Sequence, residues 1–318
     1  MKIVYSPSSI AHANECLMRM YLLDIEKIDH SYTGQQAKGT FVHRFMQISF
    51  FNEDGSPKYK SAESCANAAG GSWLYRYANE GVIDNKKIEW TEEKQKYYLK
   101  GEIINVMKKA YPRYVREGKP AFSEERFSFI TEDIDLGGKA DEIRKGPVIR
   151  DLKTGTSFNP EDERNHIQEA FYKLGLAAKI HQSPGMAETL GVSPAAAASF
   201  AEDPGKLISE IAFEFYHMNF DRIVEPKGKY GYKDIIDMAK GIYSGLKEGF
   251  TPPRGSSICT NCSAKKTCYA RPGDVFKLRQ DGKQLKLFPT DQEIFARASS
   301  IPAKKKRKVE DKNQLSLF

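Results

Sequence analysis

Two runs of strand character, 134–144 and 147–153, meet at Lys145-Gly146-Pro147. Glycine and proline end one run and open the next, so the segment predicts a tight antiparallel hairpin. Side chains alternate along a strand, which puts Ile149, Asp151 and Lys153 on one face of the second run. The hairpin then sets Asp141, in Gly138-Lys139-Ala140-Asp141, beside Asp151. Carboxylates on neighbouring strands make a hard-cation site suited to Mg²⁺ or Mn²⁺. Taken alone, the same residues also describe an exposed ion pair on a hairpin.

The flanking sequence predicts the rest of an α/β domain. Ser6-Pro7 caps a helix over 8–23, and Val42, Phe45 and Met46 suit a helix over 36–51. Residues 52–72 read as loop, 91–117 as helix and 122–131 as strand. Asn159-Pro160-Glu161-Asp162 starts a helix that runs to 182, and 185–205 is an excursion rich in Ala, Gly and Pro. A strand over 208–219 and a helix over 232–248 follow, and everything beyond 270 reads as tail. The expected fold is a mixed central sheet flanked by helices. At 40% apolar over 318 residues the chain can bury a real core. No run approaches 18 apolar residues, which excludes a membrane-spanning helix of the usual length. The first residues lack the apolar run and cleavage site of a secretory signal, so the expected place is the cytoplasm. Five cysteines are no disulfide framework, and in a reducing compartment clustered cysteines more often bind metal.

Three further residues join the hairpin. His43 lies one helical turn after Gly39, and a glycine there leaves room for metal or backbone to approach. Gln168 and Tyr172 are four apart on the 159–182 helix, so an amide and a phenol share a face. Singly, each is an ordinary helix residue. In order, G-x-x-x-H, G-x-x-D, D-x-K-T-G and Q-x-x-x-Y resemble the RecB-type nucleases of the PD-(D/E)XK superfamily. The resemblance covers about residues 1–270 and implies the restriction-endonuclease-like fold. It implies that His43, Asp141 and Asp151 hold Mg²⁺ or Mn²⁺ and that Lys153 orients or activates the attacking water. Gln168 and Tyr172 would contact DNA.

Cys259, Cys262 and Cys268 form C-x₂-C-x₅-C, and Cys16 stands alone near the start. The stretch from Tyr5-Ser6-Pro7 through Cys16-Leu17-Met18-Arg19-Met20-Tyr21 resembles the opening of that family's iron–sulfur branch. The branch includes the AddB helicase–nuclease subunit and the CRISPR-adaptation-associated exonuclease. It implies a 4Fe–4S cluster on the four cysteines that staples the ends of the domain together. Leu17 departs from the proline that the family often has there. Four thiolates can equally hold zinc, although zinc sites usually show two C-x₂-C pairs. Cys65 has no partner in the sequence and reads as incidental.

The tail, 271–318, reads as flexible and basic. Residues 302–318 hold six basic and two acidic residues, more than half of the chain's net charge of +7. The body is therefore close to neutral and no electrostatic glove for duplex DNA, though a local groove can still take a polyanion. Gln284-Leu285-Lys286-Leu287-Phe288 and Gln314-Leu315-Ser316-Leu317-Phe318 both read Q-L-x-L-F. The pattern resembles the peptide that bacterial replication proteins insert into the sliding clamp, with leucine and phenylalanine entering an apolar pocket. Lys304-Lys305-Lys306-Arg307-Lys308-Val309 resembles a nuclear-import signal and equally suits DNA affinity. The pentapeptides favour a bacterial or bacteriophage setting.

Together these readings predict a metal-dependent DNA exonuclease, acting on single strands by resemblance and recruited to a clamp in replication, recombination or repair. The alternatives are an end-trimming subunit active only in a complex, and a non-catalytic clamp- and DNA-binding adaptor.

Overall fold

A computed structural model describes residues 3–28, 31–131, 134–260 and 262–289. The basic run 304–309 and the pentapeptide 314–318 lie outside the described residues. The chain opens with strand β1 (Val4–Tyr5) and helix α1 (Pro7–Glu15). Ser6 and Ser9 cap α1 reciprocally, each side chain accepting the other's backbone N–H, as the Ser-Pro pair predicts. The expected helix over 8–23 is interrupted at Cys16, whose backbone is extended; α2 (Leu17–Met20) and one π-helical turn, Tyr21–Ile25, complete it. After β2 (Tyr32–Thr33) comes α3 (Gly34–Ser49), the helix of His43. The expected loop over 52–72 is corrected in its second half, where Ser61 and Ser64 cap helix α4 (Ala62–Ser72). Strands β3 (Val82–Ile83) and β4 (Lys86–Glu89) join β2 in a small sheet, and α5 (Gln95–Glu117) follows.

The central sheet holds β5 (Phe122–Ile130), β6 (Asp135–Arg144), β7 (Val148–Lys153), β8 (Ala212–His217) and β9 (Arg222–Val224), together with β1. β5 runs antiparallel along one edge of β6. The other edge is shared: β1 takes Asp135 and Leu136, and β7 takes Glu142 to Arg144. The edge lies open between them, at 137–141. β7 pairs parallel with β8 across a crossover built on α6 (Glu163–Gln182). The 185–205 excursion is ordered as α7 (Pro184–Leu190), α8 (Pro194–Ser199) and α9 (Pro204–Ser209), each opened by its proline. The chain continues through α10 (Tyr232–Glu248) and α11 (Lys265–Ala270).

Two apolar cores cover the two faces of the sheet. Ile149, Phe213 and Phe215 face a core with α1, α6 and α10. Leu152 and Tyr216 face a core with α3, α4 and α5. Helix α6 lies so close to β5 that a Cβ at Gly175 would sit 1.9 Å from the Phe127 ring.

Residues 276–289, expected as flexible tail, instead form a hairpin of β10 (Phe276–Asp281) and β11 (Gln284–Pro289). Its alternation is the reason: Phe276, Leu278 and Leu287 are buried in the α6-side core. The Leu287 amide also donates to the Tyr21 hydroxyl at 2.6 Å. The first pentapeptide is thus a paired strand, with Gln284 exposed and Leu285 and Phe288 half-buried.

Candidate active site

The predicted hairpin forms, and its ladder stops one rung short of the acids. Pairing ends at Glu142 with Arg150. Asp141 Oδ2 accepts instead from the Leu152 amide at 2.8 Å, and its Oδ1 lies 3.1 Å from His43 Nδ1. Side-chain alternation slips here too. Ala140 and Ile143 both face the α6-side core although they are three apart, while Glu142 turns to the Tyr114 hydroxyl of α5. This slip frees Asp141 to face α3. Gly39 does provide close approach: the Thr154 hydroxyl lies 3.3 Å from where a Cβ would be.

On the other acid, Asp151 Oδ2 lies 2.8 Å from Lys153 Nζ, and Lys153 reaches Gln168 Oε1 at 3.2 Å. The Gln168 amide nitrogen donates to Asp151 Oδ1. One residue of α6 therefore fixes both members of the D-x-K motif. The Lys153 ammonium also sits 4.9 Å from the centre of the Phe215 ring.

Burial works against the charge on His43, but the Asp141 carboxylate overrides it and pushes the imidazole up to about 9. Burial likewise raises Asp141, and the adjoining His43 more than reverses it, holding this acid below the ordinary carboxylate range. Asp151 is 5% exposed, and burial with the nearby Asp141 charge lifts it above that range despite Lys153. Its Oδ2 is held by the Lys153 ammonium alone. Two carboxylates and a histidine drawn together in this way suit a hard divalent cation.

Sequence reading missed one acid. Glu124 of β5 brings its carboxylate to His43 and Asp141, and the three ligand atoms lie within 4.8 Å of one another. Asp151 stands outside that set, tied to Lys153 and Gln168. No spacing in the sequence marks Glu124; a backbone φ of 55° brings it there.

A groove of about 500 Å³ runs past Lys153 and Gln168, lined also by Ser6, Ser8, His12, Lys139, Arg164 and Asn165. A second cleft of about 450 Å³ shares Lys153, Arg164 and Asn165 with it and continues to Phe158 and Asn159. Tyr172 borders the groove but is 8% exposed, its ring 5.4 Å from that of Phe127 and edge-on to it. Stacking on a base needs an open face, which this ring does not offer.

Cys16, Cys259, Cys262 and Cys268 line one small cavity between the two ends of the fold. Burial raises the Cys16 thiol, and the nearby Cys268 and Cys262 add to the rise. Among the described residues no three cysteine sulfurs lie within 4.8 Å of one another. Cys65 is fully buried on α4 and its thiol is pushed up to about 12 by that burial, so it is a core residue.

The family model of the PD-(D/E)XK nuclease superfamily matches residues 4–269. The chain belongs to this superfamily. The match runs from β1 into α11 and so takes in both the acids of the hairpin and the four cysteines. Metal-dependent nuclease activity on DNA is the activity that this family carries, and the acidic site has the donor set for it. No match was found among curated proteins. Among the described residues no helix is long and apolar enough to cross a membrane.

Proposed function

We propose that this PD-(D/E)XK nuclease is an exonuclease that degrades single-stranded DNA with Mg²⁺ or Mn²⁺ and is brought to its substrate by a sliding clamp. The observation that carries the catalytic part is a pair of linked clusters on neighbouring strands: His43 with Asp141 in one small cavity, and Asp151 with Lys153 and Gln168, the last two lining the groove. His43, Asp141 and Asp151 would hold the metal, which when bound neutralises the attacked phosphate and eases deprotonation of water. The Lys153 ammonium, steadied by Asp151 and Gln168, orients the attacking water and the phosphate by hydrogen bonding. Tyr172 acts behind Gln168, fixing its amide. Arg164 and Lys139 line the groove and suit the flanking phosphates. The preference for a single strand rests on the resemblance to the RecB-type nucleases.

The four cysteines, drawn from both ends of the chain around one cavity, are a donor set for a thiolate-held group, and we assign them a 4Fe–4S cluster. Iron, sulfide and zinc analysis of anaerobically purified protein separates that assignment from zinc. Clamp docking falls to Gln314, Leu315, Leu317 and Phe318, since β11 engages Leu287 in the core. Deleting 314–318 should abolish clamp binding by calorimetry; undiminished binding refutes the docking role.

The central test is hydrolysis of DNA labelled at either end, single- and double-stranded, in Mg²⁺ or Mn²⁺ beside Lys153→Ala. Stepwise loss from one end, absent in the variant, supports the reading. Internal cuts, or no cleavage by folded protein, count against it.

A further inference from the structure

Glu124 belongs to none of the sequence motifs, yet it faces the metal site. It lies opposite Asp141 at the rung where β5–β6 pairing lapses, between Ser123 with Glu142 and Glu125 with Ala140. Its positive φ is a conformation that residues other than glycine rarely adopt. The carboxylate reaches within 4.8 Å of the ligand atoms of His43 and Asp141. It is also ion-paired with Lys139 on the neighbouring strand. Lys139 lines the groove that holds Lys153 and Gln168, with 47% of its side chain exposed. One lysine thus stands between an acid that faces the metal site and a groove suited to a polyanion. On the next strand the buried Asp151, ion-paired with Lys153, adds a second carboxylate whose charge acts on Asp141 and His43.

We propose that Glu124 is a further ligand of the divalent metal, and that Lys139 holds its carboxylate until metal or a DNA phosphate separates the pair. This rests on the metal-dependent nuclease reading above. An ammonium and a divalent cation compete for one carboxylate. Metal on Glu124 frees Lys139 for a phosphate, and a phosphate on Lys139 frees Glu124 for metal, so each ligand favours the other.

The test is Mn²⁺ alone, without DNA, titrated into the full chain by calorimetry and by the loss of the free-ion paramagnetic resonance signal. Glu124→Gln is expected to weaken Mn²⁺ binding about tenfold or more, and Lys139→Ala to tighten it several-fold. In the double variant the tightening should vanish, because Lys139 acts through Glu124. Circular dichroism verifies folding, and Asp141→Asn is the control. If Asp141→Asn abolishes Mn²⁺ binding while Glu124→Gln binds like wild type, the proposal falls and the metal centre stands. If neither variant changes binding, the metal centre itself is refuted, and the proposal with it. Tightening that persists in the double variant overturns the role of Lys139. Should Glu124→Gln not fold, Lys139→Ala decides alone: unchanged or weaker binding refutes the pairing.

Discussion

Without metal, the His43–Asp141 pair should make the protein's stability fall at alkaline pH. The imidazole is held at about 9 against an ordinary 6.5, by an Asp141 carboxylate 3.1 Å away. At about 1.4 kcal/mol per pH unit, that difference corresponds to about 3 kcal/mol. His43 is 24% exposed at its side chain, so the interaction is only partly screened. A group whose folded value is raised contributes its full stability below its unfolded value. The contribution is therefore complete below pH 6.5 and drains away as the pH climbs through 9. Asp141, held low, contributes in the opposite sense and loses its share only in acid, below the ordinary carboxylate range. The assay is urea unfolding in EDTA at steps from pH 5.5 to 9.5, for wild type and His43→Gln. Carbon-13 resonances of labelled histidine report the ring's titration directly. Wild type should lose about 3 kcal/mol more than the variant across the window. Parallel curves, or a ring titrating near 6.5, would refute the reasoning.

Four other outcomes are expected. Gly175→Ala drives a methyl group to 1.9 Å from the Phe127 ring and should cost about 3 kcal/mol, lowering the melting midpoint by roughly 5 °C or more; an unchanged midpoint means that α6 does not lie on β5 as described. Lys153→Ala should slow hydrolysis about 100-fold or more in end-labelled assays while DNA binding by fluorescence anisotropy persists; comparable loss of both would make Lys153 a binding residue. Iodoacetamide on the metal-free, reduced protein should label Cys259 early and Cys65 last, as read by peptide mass spectrometry. Despite some desolvation, Ser256 and neighbouring amides hold the Cys259 thiol below its ordinary value, and burial puts Cys65 near 12; equal rates would contradict this. Leu287→Ala should cost about 2–4 kcal/mol in thermal or urea unfolding, because the residue is 3% exposed in the core; no cost would return the hairpin to a loose tail.

The legible parts of the sequence were those whose signal is local. Gly146, at φ 81°, makes the turn that its Lys-Gly-Pro setting announced, and the turn brings Asp141 and Asp151 together. The Asn-Pro-Glu-Asp start placed α6, with Asp162 as its actual cap, and hence Gln168 beside Lys153. Other local signals were present but outweighed. Ser61 and Ser64 form a capping box, yet the Gly, Ser and Asn around them read as loop; burial of Cys65, Ala66 and Ala69 against the α5 side holds α4 in place. Gly282-Lys283 is a two-residue turn between alternating runs, a hairpin signal masked by the basic composition around it. Glu124 was illegible for a different reason. Its place depends on a backbone reversal of alternation at one rung, which leaves no periodic trace. Nor could the helix spacing of Tyr172 say that Phe127 and Phe213 cover its ring.

The packing of the first helix against the 259–289 segment bears on the groove. Ser6, the cap of helix α1, lines the groove with Ser8 and His12, and Cys16, just past the helix's other end, lines the cysteine cavity. Nine helical residues make a rod of about 13 Å between the two sites. Beyond its far end the chain is tied to partners about 245 and 266 residues away by the Arg271–Glu26 ion pair and the Leu287–Tyr21 hydrogen bond, and the three late cysteines line the same cavity as Cys16. Closure entropy grows only slowly with loop length, so fixing the ends across so long a loop costs little more than across a short one. What the closure secures is one wall of the groove. A thiolate-held group at the cysteines would therefore matter to hydrolysis through the position of α1, without touching the phosphate. Removing it should loosen DNA binding and the fold around α1 before it changes the acids of β6 and β7, which are anchored separately by Gln168, Leu152 and His43.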